Sequence, residues 1–247
     1  GERNYHPGKS AGGTTDYGDY NILVLEHLAA TSNPPRTFSV QDLIPHWMNR
    51  LENGWGSWIC TMTRETYSQV KHGTKVENIG GISNAMAIRH VAAHGYYENE
   101  DELVDVARKA MFTHKDFSAL GGGEFFARVT HRVLRGVIPR DAIEEVAILM
   151  GGFFEDKTKQ AIAKYEEEAN PQTQLSKEQF SDDLALTSMA RLWDIGRSEP
   201  IKVGKASPTE GTLPGSIYFI LKYANKENGL KKALQANAMV GGDNASR

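Results

Sequence analysis

Two short stretches near opposite ends of the chain combine paired glycines with oxygen-bearing side chains. One is Gly12-Gly13-Thr14-Thr15-Asp16-Tyr17-Gly18-Asp19; the other is Gly241-Gly242-Asp243-Asn244-Ala245-Ser246-Arg247. Hard cations take oxygen ligands, and each stretch offers carboxylate and hydroxyl oxygens within a single turn. Asp16 and Asp19 are three residues apart, so at a helix start they share a face. Asp243, Asn244 and Ser246 follow a segment with helical apolar spacing (Leu230, Ala233, Leu234, Ala238, Met239, Val240), which Gly241 and Gly242 would end. Brought together, the two turns would share one metal site. Simpler roles compete at each place. Asp16 can be a helix cap and Asp19 a partner of the helix dipole, worth about 1 kcal/mol each at most. Asp243 can be a solvated acid after a helix stop.

Three further places carry functional side chains. Gly80-Gly81-Ile82-Ser83-Asn84-Ala85-Met86 puts glycines before what reads as a helix N-terminus, where free backbone N–H groups suit a phosphate. With no strand ahead of it, this is neither a dinucleotide-binding fingerprint nor a phosphate-binding P-loop. A plain cap by Ser83 is the competing role. Thr113-His114 falls between two helical segments, where a histidine binds a ligand or simply meets solvent. His90 and His94 have metal-ligand spacing on one predicted helix, but no third ligand is evident nearby, so a half-buried pair is favoured over zinc. The Gly-x-Ser-x-Gly nucleophile signature is absent, and Cys60 has no local catalytic signature.

These residues must be positioned by helices, because period-two alternation is absent throughout. The expected fold is all-α, a compact multi-helix single domain over residues 1–247 with about ten helices. The first helix covers 20–30, with Ile22, Leu25, Leu28 and Ala29 on one face and Asp16 or Asp19 as cap. Ser39 caps a helix to Asn53 through Leu43, Trp47 and Leu51. A weaker one spans Thr61–Lys71. Ser83 and Asn84 open a small-residue helix to His94. Asn99 with Glu102 forms a capping-box pattern before Val104, Ala107, Ala110 and Met111. Asp116 caps a long helix to Leu134, and Gly136 stops it. Pro139 takes a first helical position before 142–151. Helices follow over 154–169, from Ser176 with Gln179 to Trp193, from Pro214 to Ala224, and over 228–240. Residues 196–213 read as loop. Ile217, Ile220 and Leu221 read as a core stripe.

Composition narrows the classes. The chain has 247 residues, 40% hydrophobic and 24% charged, with net charge −3 and a single cysteine. No basic run argues for nucleic acid, no apolar run is long enough to span a bilayer, and no internal disulfide can form. A soluble, cytoplasmic protein is the expectation, without nucleic-acid or membrane partners. The absence of an initial Met and the stop after a site-like turn lead us to expect a domain incomplete at both ends.

In order and spacing, these motifs make the chain resemble the ADP-ribosylglycohydrolase family, which includes ADP-ribosyl-acceptor hydrolases, dinitrogenase-reductase-activating glycohydrolases and J-crystallins. The resemblance rests on Thr15-Asp16, on Gly81-Ile82-Ser83-Asn84-Ala85-Met86-Ala87-Ile88-Arg89, on Thr113-His114 and on Gly241-Gly242-Asp243, and covers most of the chain. It implies an all-α fold, a site for one or two Mg2+ ions, and metal-assisted hydrolysis of an ADP-ribosyl glycosidic bond in a modified protein or a small ADP-ribosyl compound. Under it Thr15, Asp16, Asp19, Asp243 and Ser246 are the metal ligands, and Asp16 and Asp243 the catalytic carboxylates. Gly81, Ser83, Asn84, Met86 and His114 bind substrate, with the glycine loop cradling the pyrophosphate. The chain departs from the family pattern at both metal motifs. Tyr17 and Gly18 stand where Thr-Asp-Asp-Thr has its second Asp and last Thr. Ala245 and Ser246 stand where Gly-Gly-Asp-x-Asp-Thr has its second Asp and its Thr. The acidic residue of the family's first helix has no counterpart. The resemblance therefore also implies an alternative, a non-catalytic ADP-ribose or nucleotide binder or a crystallin-like structural relative.

Overall fold

A computed structural model describes residues 6–30, 37–170, 207–240, 243 and 245. The expected helix from Ser176 to Trp193 lies outside them, as do Ser246 and most of the expected 196–213 loop. The described residues form nine α-helices and no strand, so the fold is all-α. Two isolated bridges, Gly81 with His114 and Ala85 with Pro208, are the extended pairings among them. The chain divides into two compact units: Gly1–Ser83 with Ala87–Ala127, and Asn84–Met86 with Arg128–Arg247.

The first unit holds α1 (Asp16–Ala30), α2 (Val40–Asn53), α3 (Thr61–Lys71), α4 (Glu100–Lys109) and the start of α5 (Phe117–Leu134). Local chemistry sets several helix starts. The Ser39 hydroxyl accepts the Asp42 amide at 3.3 Å, and Asn99 accepts the amides of Asp101 and Glu102 at 2.8 and 3.1 Å. Asp116 accepts the amides of Ser118 and Ala119. Such bonds satisfy amides that a helix start leaves orphaned, about 1 kcal/mol each.

The core of this unit joins Tyr20, Leu23, Val24 and Leu28 of α1, Leu43 and Trp47 of α2, and Leu103, Val106, Ala107 and Phe112. Trp47 meets Phe112 edge-on at 5.0 Å. Burying each large side chain contributes roughly 1.5–3 kcal/mol. The α1 face differs from expectation. Its period is helical, but Leu25 is 47% exposed and Ala29 also faces out, while Tyr20, Leu23, Val24 and Leu28 point inward. The phase is set by Tyr20, whose hydroxyl accepts Trp47 Nε1–H at 3.2 Å and pairs with the Thr63 hydroxyl at 2.8 Å.

The expected helix from Ser83 to His94 does not form. Residues 82–90 are irregular apart from the bridge at Ala85, and a short 3-10 turn covers Val91–Gly95. Small residues permitted a helix, but long-range partners claim the backbone instead. In this unit Asn21 of α1 donates to the Ile88 carbonyl at 2.8 Å and accepts the Val91 amide at 3.3 Å.

The second unit contains the end of α5, α6 (Pro139–Met150), α7 (Gly152–Ala169), α8 (Thr209–Tyr223) and α9 (Gly229–Val240). Pro139 occupies the first turn of α6 as expected. Gly151, at φ +62, turns the chain directly into α7. Tyr218, Phe219 and Tyr223 of α8 cluster with Tyr165 of α7 and Ala233 and Ala236 of α9.

Helix α8 starts five residues before the expected Pro214, so residues 209–213 are helix, not loop. Pro214 sits inside it and forgoes one amide bond. Rather than one apolar stripe, residues 212–219 are all buried, while Ile220 and Leu221 are partly exposed. The expected buried face of α9 is also shifted: Leu230 and Leu234 are 77% and 60% exposed, and Ala233 and Ala236 make the contact. Gly229 opens α9 where no side chain fits, since a Cβ there would lie 2.0 Å from the Tyr223 carbonyl oxygen.

Candidate functional site

The first carboxylate stretch enters α1 one turn earlier than its apolar pattern indicates. Asp16 is the first residue of α1 and is partly exposed, as is Thr15, whose carbonyl accepts the Asp19 amide at 2.9 Å. Asp19 is 6% exposed, and its side chain is held from outside the helix. One carboxylate oxygen accepts the Thr14 hydroxyl at 2.7 Å, and the other accepts the Ser57 hydroxyl. Ser57 is 38 positions away and carried no sequence signal. Asp16 and Asp19 therefore differ in burial: Asp16 is partly exposed at the helix start, and Asp19 is buried with two hydroxyl donors.

The glycine loop is fastened in the first unit by its own backbone. Gly80 takes φ +98, and a Cβ there would lie 2.7 Å from the Phe112 carbonyl oxygen. Gln69 of α3 grips this residue, accepting its amide at 2.7 Å. The Gly81 amide donates to the Thr113 carbonyl at 3.0 Å, and the Lys115 amide donates to the Gly81 carbonyl at 2.7 Å. Gly81 and His114, expected as substrate-binding residues on separate motifs, are thus paired side by side. Ser83 is partly exposed, and the neighbouring Ile82 is 86% exposed.

His114 is buried rather than at the surface, with Nδ1 2.9 Å from the Thr113 hydroxyl. Burial, reinforced by the Arg89 guanidinium, pushes its imidazole down to about 3. It is therefore neutral at physiological pH and can both donate and accept a hydrogen bond. Arg89 is itself 2% exposed. It stacks on the Tyr20 ring at 3.4 Å and donates to the Ala110 carbonyl at 3.1 Å. No ion pair to it occurs among the described residues.

His90 and His94 do not share an α-helix: His90 precedes the 3-10 turn and His94 lies within it. The rings contact each other, Nδ1 to Nε2, at 3.2 Å. Burial, then the neighbouring His94, pushes His90 down to about 3. A hydrogen bond between the two rings accounts for the spacing that suggested zinc.

In the second unit, Asn84 and Met86 are bound to the segment leading into α8. The Met86 amide donates to the Ser207 carbonyl at 3.0 Å. The Thr209 amide and hydroxyl both donate to the Asn84 carbonyl, at 2.9 and 2.8 Å. The Asn84 side-chain amide donates to Glu210 at 2.9 Å. Met86 is buried, at 1% exposure. Asp243 is partly exposed in a bend.

The donors expected for a metal are all oxygens, which suits a hard cation and not zinc. Thr15 and Asp16, at the partly exposed start of α1, carry oxygens of the kind such an ion takes. Asp19 is less open: it is 6% exposed and its two oxygens each accept one hydroxyl, which leaves a lone pair on each for an ion. Among the described residues no group of three or more His, Cys, Asp or Glu side chains stands ready as a cluster.

An all-α chain whose glycine loop is bridged to a Thr-His pair therefore carries an acid-and-hydroxyl turn at the head of its first helix. The family model described as ADP-ribosylglycohydrolase matches residues 1–247, and the chain belongs to that family. No curated protein matches it. Family membership supports a hydrolase of the ADP-ribosylglycohydrolase type, with ADP-ribosylated substrates. No helix among the described residues is long and apolar enough to cross a membrane.

Proposed function

We infer that this protein hydrolyses the glycosidic bond of an ADP-ribosyl group with the help of one or two Mg2+ ions. The observation that carries this reading is the family match along the whole chain. Thr15, Asp16, Asp243 and Ser246 would hold the metal, with Asp19 as a further ligand through the lone pairs its two hydroxyl donors leave. A magnesium ion so held would supply Lewis acidity toward bound hydroxyls and water. Asp16 and Asp243 are the carboxylates assigned to take the proton of the attacking water. Gly81 and Ser83 would meet the substrate's phosphates, and His114 would contact ribose or phosphate as a neutral imidazole. The test is release of ADP-ribose from arginine- and serine-linked conjugates, with and without magnesium, by the wild-type chain and Asp16→Ala. Magnesium-dependent release that Asp16→Ala abolishes is expected, and release unaffected by the substitution would overturn the assignment.

One observation favours a second reading, a non-catalytic ADP-ribose binder. Asp19, the nearest carboxylate in sequence to stand in for the missing second Asp, is only 6% exposed, with its oxygens turned to Thr14 and Ser57. ADP-ribose binding indifferent to magnesium, without turnover, would decide for the binder.

A further inference from the structure

Asn84 lies on the loop expected to cradle a pyrophosphate, yet its nearest charged partner is a carboxylate. Its side-chain amide donates to Glu210 Oε2 at 2.9 Å. Its backbone carbonyl is already taken by the amide and the hydroxyl of Thr209. An asparagine side chain has two amide hydrogens and an acceptor oxygen. Among the described residues, Asn84 Oδ1, its second amide hydrogen and Glu210 Oε1 are left to meet a ligand. Both residues are partly exposed, so these atoms are not sealed in the core.

That inventory is two acceptors and one donor, with a negative charge among them. A phosphate is all acceptor and anionic, so it matches poorly here. A vicinal pair of hydroxyls matches well: each donates to one acceptor, and one of them accepts the amide hydrogen. We propose that Glu210, oriented by Asn84, is a specificity-determining residue that takes the vicinal hydroxyls of a ribose. This rests on the ADP-ribose reading above and narrows it: hydroxyl recognition falls to Asn84 and Glu210. Glu210 gave no signal in the sequence, where it fell inside an expected loop.

The experiment is calorimetric titration of the full chain and of Glu210→Gln with four probes: ADP-ribose, ADP, ribose 5-phosphate and pyrophosphate. Glutamine keeps an oxygen for the Asn84 amide, and thermal unfolding of both proteins checks that the fold is intact. Glu210→Ala serves as a second variant. The expected result is about tenfold weaker ADP-ribose binding in Glu210→Gln with pyrophosphate binding unchanged. A loss shared by ADP places the adenosine ribose on Glu210; a loss shared by ribose 5-phosphate alone places the terminal ribose there. Unchanged affinity for every probe in both folded variants would overturn the proposal, as would tighter pyrophosphate binding in Glu210→Gln. If the wild-type chain binds ribose 5-phosphate through Glu210 but not ADP-ribose, the functional reading fails and this one stands. If it binds neither, both fail.

Discussion

The Arg89 guanidinium lies 3.4 Å from the centre of the Tyr20 ring, and both residues are buried to within 2%. Burial raises the Tyr20 phenol above its usual value, and the nearby guanidinium works against that rise. A cation–π contact in a desolvated setting contributes about 2 kcal/mol, and a charge-assisted hydrogen bond, here to Ala110, about as much. Arg89→Ala would lose both and leave a cavity, so we expect it to lower stability by roughly 3 kcal/mol. Urea unfolding measures this. A loss below about 1 kcal/mol would mean that the desolvation cost of the buried charge cancels its contacts.

The same ring anchors a polar chain through its hydroxyl, from Trp47 to Thr63 and on to Cys60, whose sulfur lies 3.3 Å from the Thr63 hydroxyl. Tyr20→Phe should cost about 1–3 kcal/mol, because the Trp47 N–H is left buried without its acceptor. An effect near zero would indicate that Trp47 finds another partner.

Much of this architecture was written locally, and the exceptions share a cause. Ser39, Asn99, Asp116 and Pro139 mark helix starts because a cap acts within three residues of itself. The segment 83–94 misled because its partners, Asn21 and the residues before α8, are distant in sequence. The phase of α1 was decided by hydroxyl partners on α2 and α3, and the depth of α8 by packing on several sides. At the site, Asp16, Gly81, Asn84 and His114 stood out by residue type. Ser57, Gln69 and Glu210 did not, since each is an ordinary surface residue until its partner is known.

Acid should weaken the fold in a defined window. Burial pushes His90 and His114 down to about 3, against an ordinary value of 6.5. Between those values the unfolded chain binds more protons than the folded one, so stability rises with pH there and flattens above 6.5. Each group contributes a slope of about 1.4 kcal/mol per pH unit within the window. Unfolding free energies at pH 4.5, 5.5, 6.5 and 7.5 should show this, and His114→Asn should flatten part of it. An identical profile in the variant would show that His114 titrates normally.

Asp16 and Asp19 should separate cleanly under substitution. Asp16→Ala is expected to weaken magnesium binding at least tenfold with a stability change below about 0.5 kcal/mol, as for a partly exposed residue. Asp19→Ala should cost about 1 kcal/mol, because two hydrogen bonds to a buried carboxylate are lost while the Thr14 and Ser57 hydroxyls keep solvent or the Thr14 carbonyl as acceptors. The reverse pattern in calorimetry and thermal unfolding would exchange their roles.

Gly80→Ala tests the loop itself. The residue sits at φ +98 with no room for a Cβ beside Phe112. Strain and overlap together should cost about 2–4 kcal/mol and loosen the Gly81–His114 pairing. Hydrogen exchange at the Lys115 amide reports that pairing, and unchanged protection would show that the loop accommodates the methyl.

The bond from Ser57 to Asp19 also bears on the order in which the chain folds. It closes 38 positions of sequence, whereas the caps of α2 and α4 close two or three. Closing so long a loop costs more chain entropy than a local cap, so we expect this contact to form after the rate-limiting step. On that expectation Asp19 gains its Ser57 partner late in folding. The expected kinetic signature of Ser57→Ala is faster unfolding at an unchanged folding rate. The start of α1 would then be among the last parts of the molecule to be completed and among the first to come apart.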